Sequence, residues 1–157
     1  MTKDRRGPRQ ALKSGFQMSR YIHKVQYYET DKMGITHHSN YIRFMEEARM
    51  RFLDEIGYPM RRLEADGIAS PVVSVECAYK RATTYDDLIE IAVRIEEYNG
   101  VKLRISYEMR NAQSGEEVAT AGSTHCFIDE KGRPVILKKH FPELDALFRQ
   151  CVAKDGE

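Results

Sequence analysis

The sequence has few of the features that mark a specialised protein class. Its three cysteines, Cys77, Cys126 and Cys151, are odd in number and far apart, with no CxxC spacing, so a zinc or redox centre is unsupported. They read as reduced thiols in a cytoplasmic protein. Cys77 and Cys126 fall in strand patterns as small apolar residues, and nothing near them in sequence activates a thiolate. No apolar run approaches the ~20 residues that a membrane helix needs. The opening stretch, MTKDRRGPRQALKSGF, is basic but has no apolar stretch of signal-peptide type. A net charge of +1 gives no bulk electrostatic case for nucleic acid or membrane as a partner. There is no internal repeat, and no biased segment beyond the basic start.

What is present is an ordinary profile. The chain has 157 residues, 41% hydrophobic and 31% charged, which fits one domain. A chain of this size buries roughly 68–70% of its unfolded surface. The expected division is a loosely held basic tail over residues 1–19 and a single domain over 20–157.

The apolar pattern begins with alternation of Tyr21, His23, Val25 and Tyr27, which predicts a strand over 20–29. A helix follows from about Ser39 to Ile56, with Ser39 or Asn40 as its cap. Its stripe is Tyr41, Met45, Ala48, Phe52 and Ile56, widened by Ile42, Phe44 and Leu53. Gly57 and Pro59 stop it, and a short helix over 60–65 ends at Asp66-Gly67. Strands are predicted over 68–79, 88–98, 101–110 and 117–128, with a short one at 134–137 and a closing helix over 143–152. Asn99-Gly100 predicts a two-residue hairpin turn with positive φ at both positions. Strands with one apolar and one polar face imply an antiparallel sheet. The early helix packs across its buried face, an α+β arrangement. The sheet edges left over invite pairing between subunits.

Residues 27–49, YYETDKMGITHHSNYIRFMEEAR, gather a carboxylate, a glycine and two histidines beside a helix start. Asp31 in a cleft can serve as general base or nucleophile; as a plain turn residue it caps backbone amides. His37 and His38 can orient a carbonyl or a water, or can be a surface pair at the helix start. They do not make a metal site, because adjacent histidines rarely chelate one ion and no third ligand is evident. Arg49 falls in the apolar stripe with Glu46 three residues earlier, which predicts a structural Glu46–Arg49 pair; the rival role for Glu46 is a catalytic acid. Lys80, Arg81, Lys138, Lys139 and His140 can receive phosphates or simply be solvated. Spacing alone leaves Glu29, Asp31, His37, His38 and Glu46 as near-equal candidates.

One motif separates them. Tyr28, Glu29-Thr30-Asp31, Met33-Gly34, His38-Ser39-Asn40-Tyr41, Phe44, Glu46 and Ala48-Arg49 resemble the signature of the 4-hydroxybenzoyl-CoA thioesterase family of hotdog-fold acyl-CoA thioesterases. Tyr79-Lys80-Arg81-Ala82 and Tyr85-Asp86-Asp87 resemble that family's strand, basic turn and aspartate. The chain departs at Thr36-His37, where Val-Tyr is frequent, and at Ala82-Thr83, where a proline is common; acyl preference and nucleotide contacts are left open there. The resemblance implies an antiparallel sheet wrapped around the long helix, a homodimer or homotetramer, and active sites at the dimer interface. It implies hydrolysis of an acyl-CoA thioester with no metal or cofactor. Asp31 and His38 are the implied catalytic residues, and Gly34, Asn40, Tyr41, Met45 and Arg81 the expected substrate-binding residues, with partner-subunit residues of the 68–80 strand as further pocket wall. It argues against Glu46, since a catalytic acid on the helix belongs to another lineage. The alternatives keep the fold and change the role: hydrolysis of acyl carrier protein thioesters, or acyl-CoA binding without turnover.

Overall fold

The computed structural model describes residues 18–152. Five strands form one antiparallel sheet: β1 (Met18–Lys24), β2 (Val72–Tyr79), β3 (Leu88–Tyr98), β4 (Leu103–Asn111) and β5 (Glu117–His125), in the order β1-β3-β4-β5-β2. The first two strands in sequence lie on opposite edges of the sheet. The segment between them contains α1 (Asn40–Glu55) and α2 (Met60–Ala65). The chain must therefore cross the whole sheet between β1 and β2, and α1 packs against β1, β3 and β2. Two short C-terminal helices, α3 (Leu137–His140) and α4 (Pro142–Cys151), close the chain.

Alternation decides which face is covered. Ile89, Ile91, Val93 and Ile95 of β3 are fully buried. They lie beside the buried residues of β4 through the register Ile91↔Met109, Val93↔Tyr107 and Ile95↔Ile105. Tyr41, Phe44, Met45, Ala48, Phe52 and Leu53 of α1 join the same core. The α+β expectation holds, as do β3 from end to end and α2.

Several expectations need correction. β1 ends at Lys24, and residues 27–29 form a 3-10 turn, so Tyr27 is exposed rather than facing the core. Ile42 is exposed too, whereas Leu53 is buried where the chain turns toward α2. Neither expected cap acts as one. Ser39 has helical angles and makes no capping bond, and the Asn40 amide donates backward to the Glu29 and His37 carbonyls. The Asn99 hairpin is a four-residue loop between paired Tyr98 and Leu103, with positive φ at Gly100 but not at Asn99. The Asn99 side chain instead accepts from the Val101 and Lys102 amides, which takes Val101 out of the strand. Pro134 makes a single bridge to Ile128, and the chain then enters α3 instead of forming a strand. Cys77 and Cys126 are half-buried, and Cys151 is the buried one. The expected tail lies outside the described residues except for Met18 and Ser19, which belong to β1.

The predicted Glu46–Arg49 pair is also absent among the described residues. Arg49 donates instead to the Tyr107 hydroxyl at 3.1 Å. Tyr107 Oη lies 2.7 Å from Ser123 Oγ, and Ser123 Oγ 2.7 Å from His125 Nε2. Tyr107, Ser123 and His125 are all buried. Guanidinium only donates, so the protons run one way: Arg49 to Tyr107, Tyr107 to Ser123, Ser123 to a neutral His125. The other ring nitrogen of His125 faces the Ser70 backbone.

Burial, and then the charge of Arg49, hold the His125 imidazole well below its ordinary 6.5, at about 4. The unfolded chain therefore takes up this proton near pH 6.5 and the folded chain only near pH 4. Stability is full above that window and falls as pH drops through it, by roughly 3 kcal/mol at one pK unit per ~1.4 kcal/mol. Urea unfolding of the native protein and His125→Gln between pH 7 and 4.5 checks this. The native protein loses stability more steeply, whereas parallel pH profiles contradict the assignment.

Candidate active site

The stretch before α1 folds as a tight turn. The Asp31 amide donates to the Ile35 carbonyl and the Gly34 amide to the Asp31 carbonyl, both at 2.9 Å. Gly34 has φ of +76°, with open space where a Cβ would sit. The glycine is thus required for its backbone angle rather than for room. Asp31 Oδ1 accepts the Met33 amide at 2.8 Å, which fixes the carboxylate on its own turn.

Hydroxyls and one carbonyl tie this turn to the rest of the chain. Thr36 and Thr83 are buried, with their Oγ1 atoms 2.6 Å apart. The Tyr41 hydroxyl lies 3.0 Å from Thr83 Oγ1, and Thr84 Oγ1 donates to the Gly34 carbonyl at 2.8 Å. Burial raises the Tyr41 phenol, so it acts here as a neutral hydrogen-bonding group. On the other side, the Glu29 carbonyl accepts from the His37 amide and from Asn40 Nδ2. The Glu29 carboxylate is buried against His23 Nε2 at 2.8 Å, while His23 Nδ1 faces Glu47 at 2.8 Å. Glu29 is thus a buried strut beneath the turn, not the end of a strand.

Asp31, Thr36, His38 and Tyr41 line one cleft of about 260 Å³ together with Tyr79 and Arg81. His38 is exposed, its ring 4.2 Å from that of His37 and edge-on to Tyr79 at 6.2 Å. His37 Nδ1 accepts from the Ser39 amide, which places the proton of a neutral ring on Nε2. Arg81 is exposed, 3.7 Å from Glu116. The backbone N–H of His38 donates to no acceptor among the described residues, whereas those of Asn40 and Tyr41 are taken by His37 and His38 carbonyls.

Of the sequence-derived site residues, Asp31, His38, Tyr41 and Arg81 meet around this cleft. Gly34 shapes the turn beside it. Asn40 is engaged by backbone carbonyls and Met45 is fully buried in the core, so neither lines it. Glu46 faces a second cavity further along α1. Sequence reasoning missed the Thr36–Thr83 pair. Tyr79 belongs to the strand expected to wall the pocket from the partner subunit, and Tyr79 of the same chain lines this cleft.

A profile of the thioesterase-like superfamily matches residues 25–148. The chain belongs to that superfamily. YneP of Bacillus subtilis is 35% identical over 129 residues, 82% of this chain and 93% of its own length. FadM of Escherichia coli, a long-chain acyl-CoA thioesterase, is 30% identical over 108 residues, 69% of this chain and 81% of its own. The DHNA-CoA thioesterase of Staphylococcus aureus superposes with a TM-score of 0.82 at 28% identity, covering 85% of this chain and 89% of that one. The superfamily member described here has the hotdog fold and is a thioester hydrolase. No helix among its described residues is long and apolar enough to cross a membrane.

Thr83→Val tests the hydroxyl cluster. It removes the hydroxyl shared by Thr36 and Tyr41 and leaves Thr36 its longer bond to the Thr83 carbonyl; each hydrogen bond lost costs about 0.5–1.5 kcal/mol. The expected result is a lower urea midpoint with an unchanged slope; an unchanged midpoint contradicts the role.

Proposed function

We propose that the chain hydrolyses acyl-CoA thioesters with Asp31 as the reacting carboxylate. The observation that carries this reading is the cleft itself: in a thioesterase-superfamily chain, Asp31 on its glycine turn lines the same cleft as His38, whose amide has no acceptor among the described residues. CoA as the carrier rests on the acyl-CoA and DHNA-CoA thioesterases among its relatives.

Two routes use the same group. As a base, Asp31 takes a proton from water while the water oxygen bonds to the thioester carbon. As a nucleophile, Asp31 bonds to that carbon itself, giving a mixed anhydride that water then opens. In both, the C–S bond breaks and CoA leaves as thiolate to be protonated. The charge that develops on the carbonyl oxygen is met by the His38 amide, with the dipole of α1 behind it. The His38 ring positions the thioester, Tyr41 walls the cleft, and Arg81 on the rim offers a fork to phosphate.

The account also predicts a dimer. β2 is an edge strand exposed on both faces, with Val73 at 63% and Tyr79 at 48% relative exposure. An apolar unpaired edge of this kind pairs with another chain, and a second copy supplies an identical edge about a two-fold axis.

Asp31→Asn tests the chemistry. Losing the base or nucleophile lowers kcat by about 10²–10⁴ on any acyl-CoA that the native protein turns over. Turnover near the native rate removes Asp31 from the mechanism.

A further inference from the structure

A second cavity of about 370 Å³ lies under the middle of α1. Its walls are mostly apolar, among them Met50, Leu53, Leu63, Ile105 and Phe127. Arg49 and His125 interrupt that lining, and they are the two ends of the buried chain through Tyr107 and Ser123. Tyr107, Ser123 and His125 each find a partner within this chain, and Tyr107 holds the guanidinium. Among the described residues the guanidinium makes one hydrogen bond, the 3.1 Å contact with Tyr107. A guanidinium has five N–H donors, and no carboxylate among the described residues forms an ion pair with Arg49. Glu46 and Glu64 also border the cavity, but both are exposed and sit at its rim. The result is an apolar chamber with an unfilled hydrogen-bond fork held in its wall.

The chamber also has a defined relation to the Asp31 cleft. Its lining includes Val72, the first residue of β2, and the cleft includes Tyr79, the last. Those ends are about 24 Å apart at ~3.4 Å per strand residue. Antiparallel pairing of β2 with a second copy about a two-fold axis exchanges the ends. With the axis at the middle of β2, it would set the partner's Val72 beside Tyr79, and with it the chamber that holds the partner's Arg49.

We propose that this chamber, contributed in trans, binds the acyl group of the thioester, and that Arg49 selects acyl groups carrying a hydrogen-bond-accepting oxygen at the end remote from sulfur. The placement rests on the thioesterase reading; the recognition by Arg49 does not require turnover. The apolar walls hold the body of the acyl group, and the fork receives the distal oxygen. A plain alkyl end leaves the guanidinium desolvated and unpaired, which penalises that substrate.

The test uses size-matched thioesters: hexanoyl-CoA, 6-hydroxyhexanoyl-CoA and adipoyl-CoA. A hydrogen bond to a charged group corresponds to a preference of about tenfold or more. The native protein is expected to favour at least one oxygen-bearing thioester over hexanoyl-CoA by that factor in kcat/KM, and the ratio falls to near one in Arg49→Met. Arg49→Lys, which keeps a charge and a donor to Tyr107, retains part of it and controls for misfolding. A heterodimer of Asp31→Asn and Arg49→Met chains regains the preference if the chamber acts in trans, because its one intact site pairs native Asp31 with the partner's native Arg49. A heterodimer without preference overturns the trans placement. Calorimetric binding of the same thioesters to Asp31→Asn protein reads the chamber apart from the chemistry. A preference in binding that Arg49→Met abolishes supports the proposal even if the native protein hydrolyses none of the three. No preference in binding, or an equal loss for all three thioesters in Arg49→Met, overturns it.

Discussion

The packing of α1 against the sheet is the interaction on which the rest depends. Phe44, Met45, Ala48 and Phe52 are buried at 1% relative exposure or less, in one core with Ile91, Val93, Ile105 and Tyr107. Each large side chain removed from water contributes roughly 1.5–3 kcal/mol. The non-directional attraction holds the helix on the sheet but does not by itself set its axial position. Polar contacts do that at two places. At its N-terminus, Asn40 and Tyr41 are pinned through Glu29 and Thr83. Near its middle, Arg49 is pinned through Tyr107.

These two anchor points coincide with the two cavities. The N-terminal anchor holds the Asp31 turn, whose carboxylate is fixed by the Met33 amide beside the open His38 amide. The middle anchor holds the fork of Arg49 in a mostly apolar wall. Buried polar chains are costly unless every member is paired, and this one is complete except at the face that lines the cavity. Both cavities lie at the ends of the exposed edge strand β2. If the turn is catalytic and the chamber holds the acyl group, as proposed, two-fold pairing through β2 is what would bring them together.

Much of this was legible in the sequence, where local rules act alone. Strict alternation gave β3 its extent, and the Asp66-Gly67 turn was legible from residue type. The 27–49 motif brought Asp31, His38 and Tyr41 forward, and they share one cleft. What stayed hidden was set by distant partners. Arg49 was paired with Glu46 because only neighbours along the helix are visible in sequence; its partner Tyr107 is 58 residues away. Thr36 and Thr83, 47 residues apart, carry no local sign of their contact. Tyr27 continued an alternation that the chain abandons, because Glu29 turns back to bond the Gln26 amide and His23. Ile42 satisfied the helical period but is left exposed among the described residues.

The most direct test of the account is a crystal structure of Asp31→Asn protein with an acyl-CoA bound. The account predicts a β2-paired dimer, the thioester oxygen about 3 Å from the His38 amide, residue 31 facing the carbonyl carbon, and the acyl group running into the chamber with the partner's Arg49. A thioester bound away from the Asp31 turn, or an acyl group lodged wholly within one chain, would contradict it.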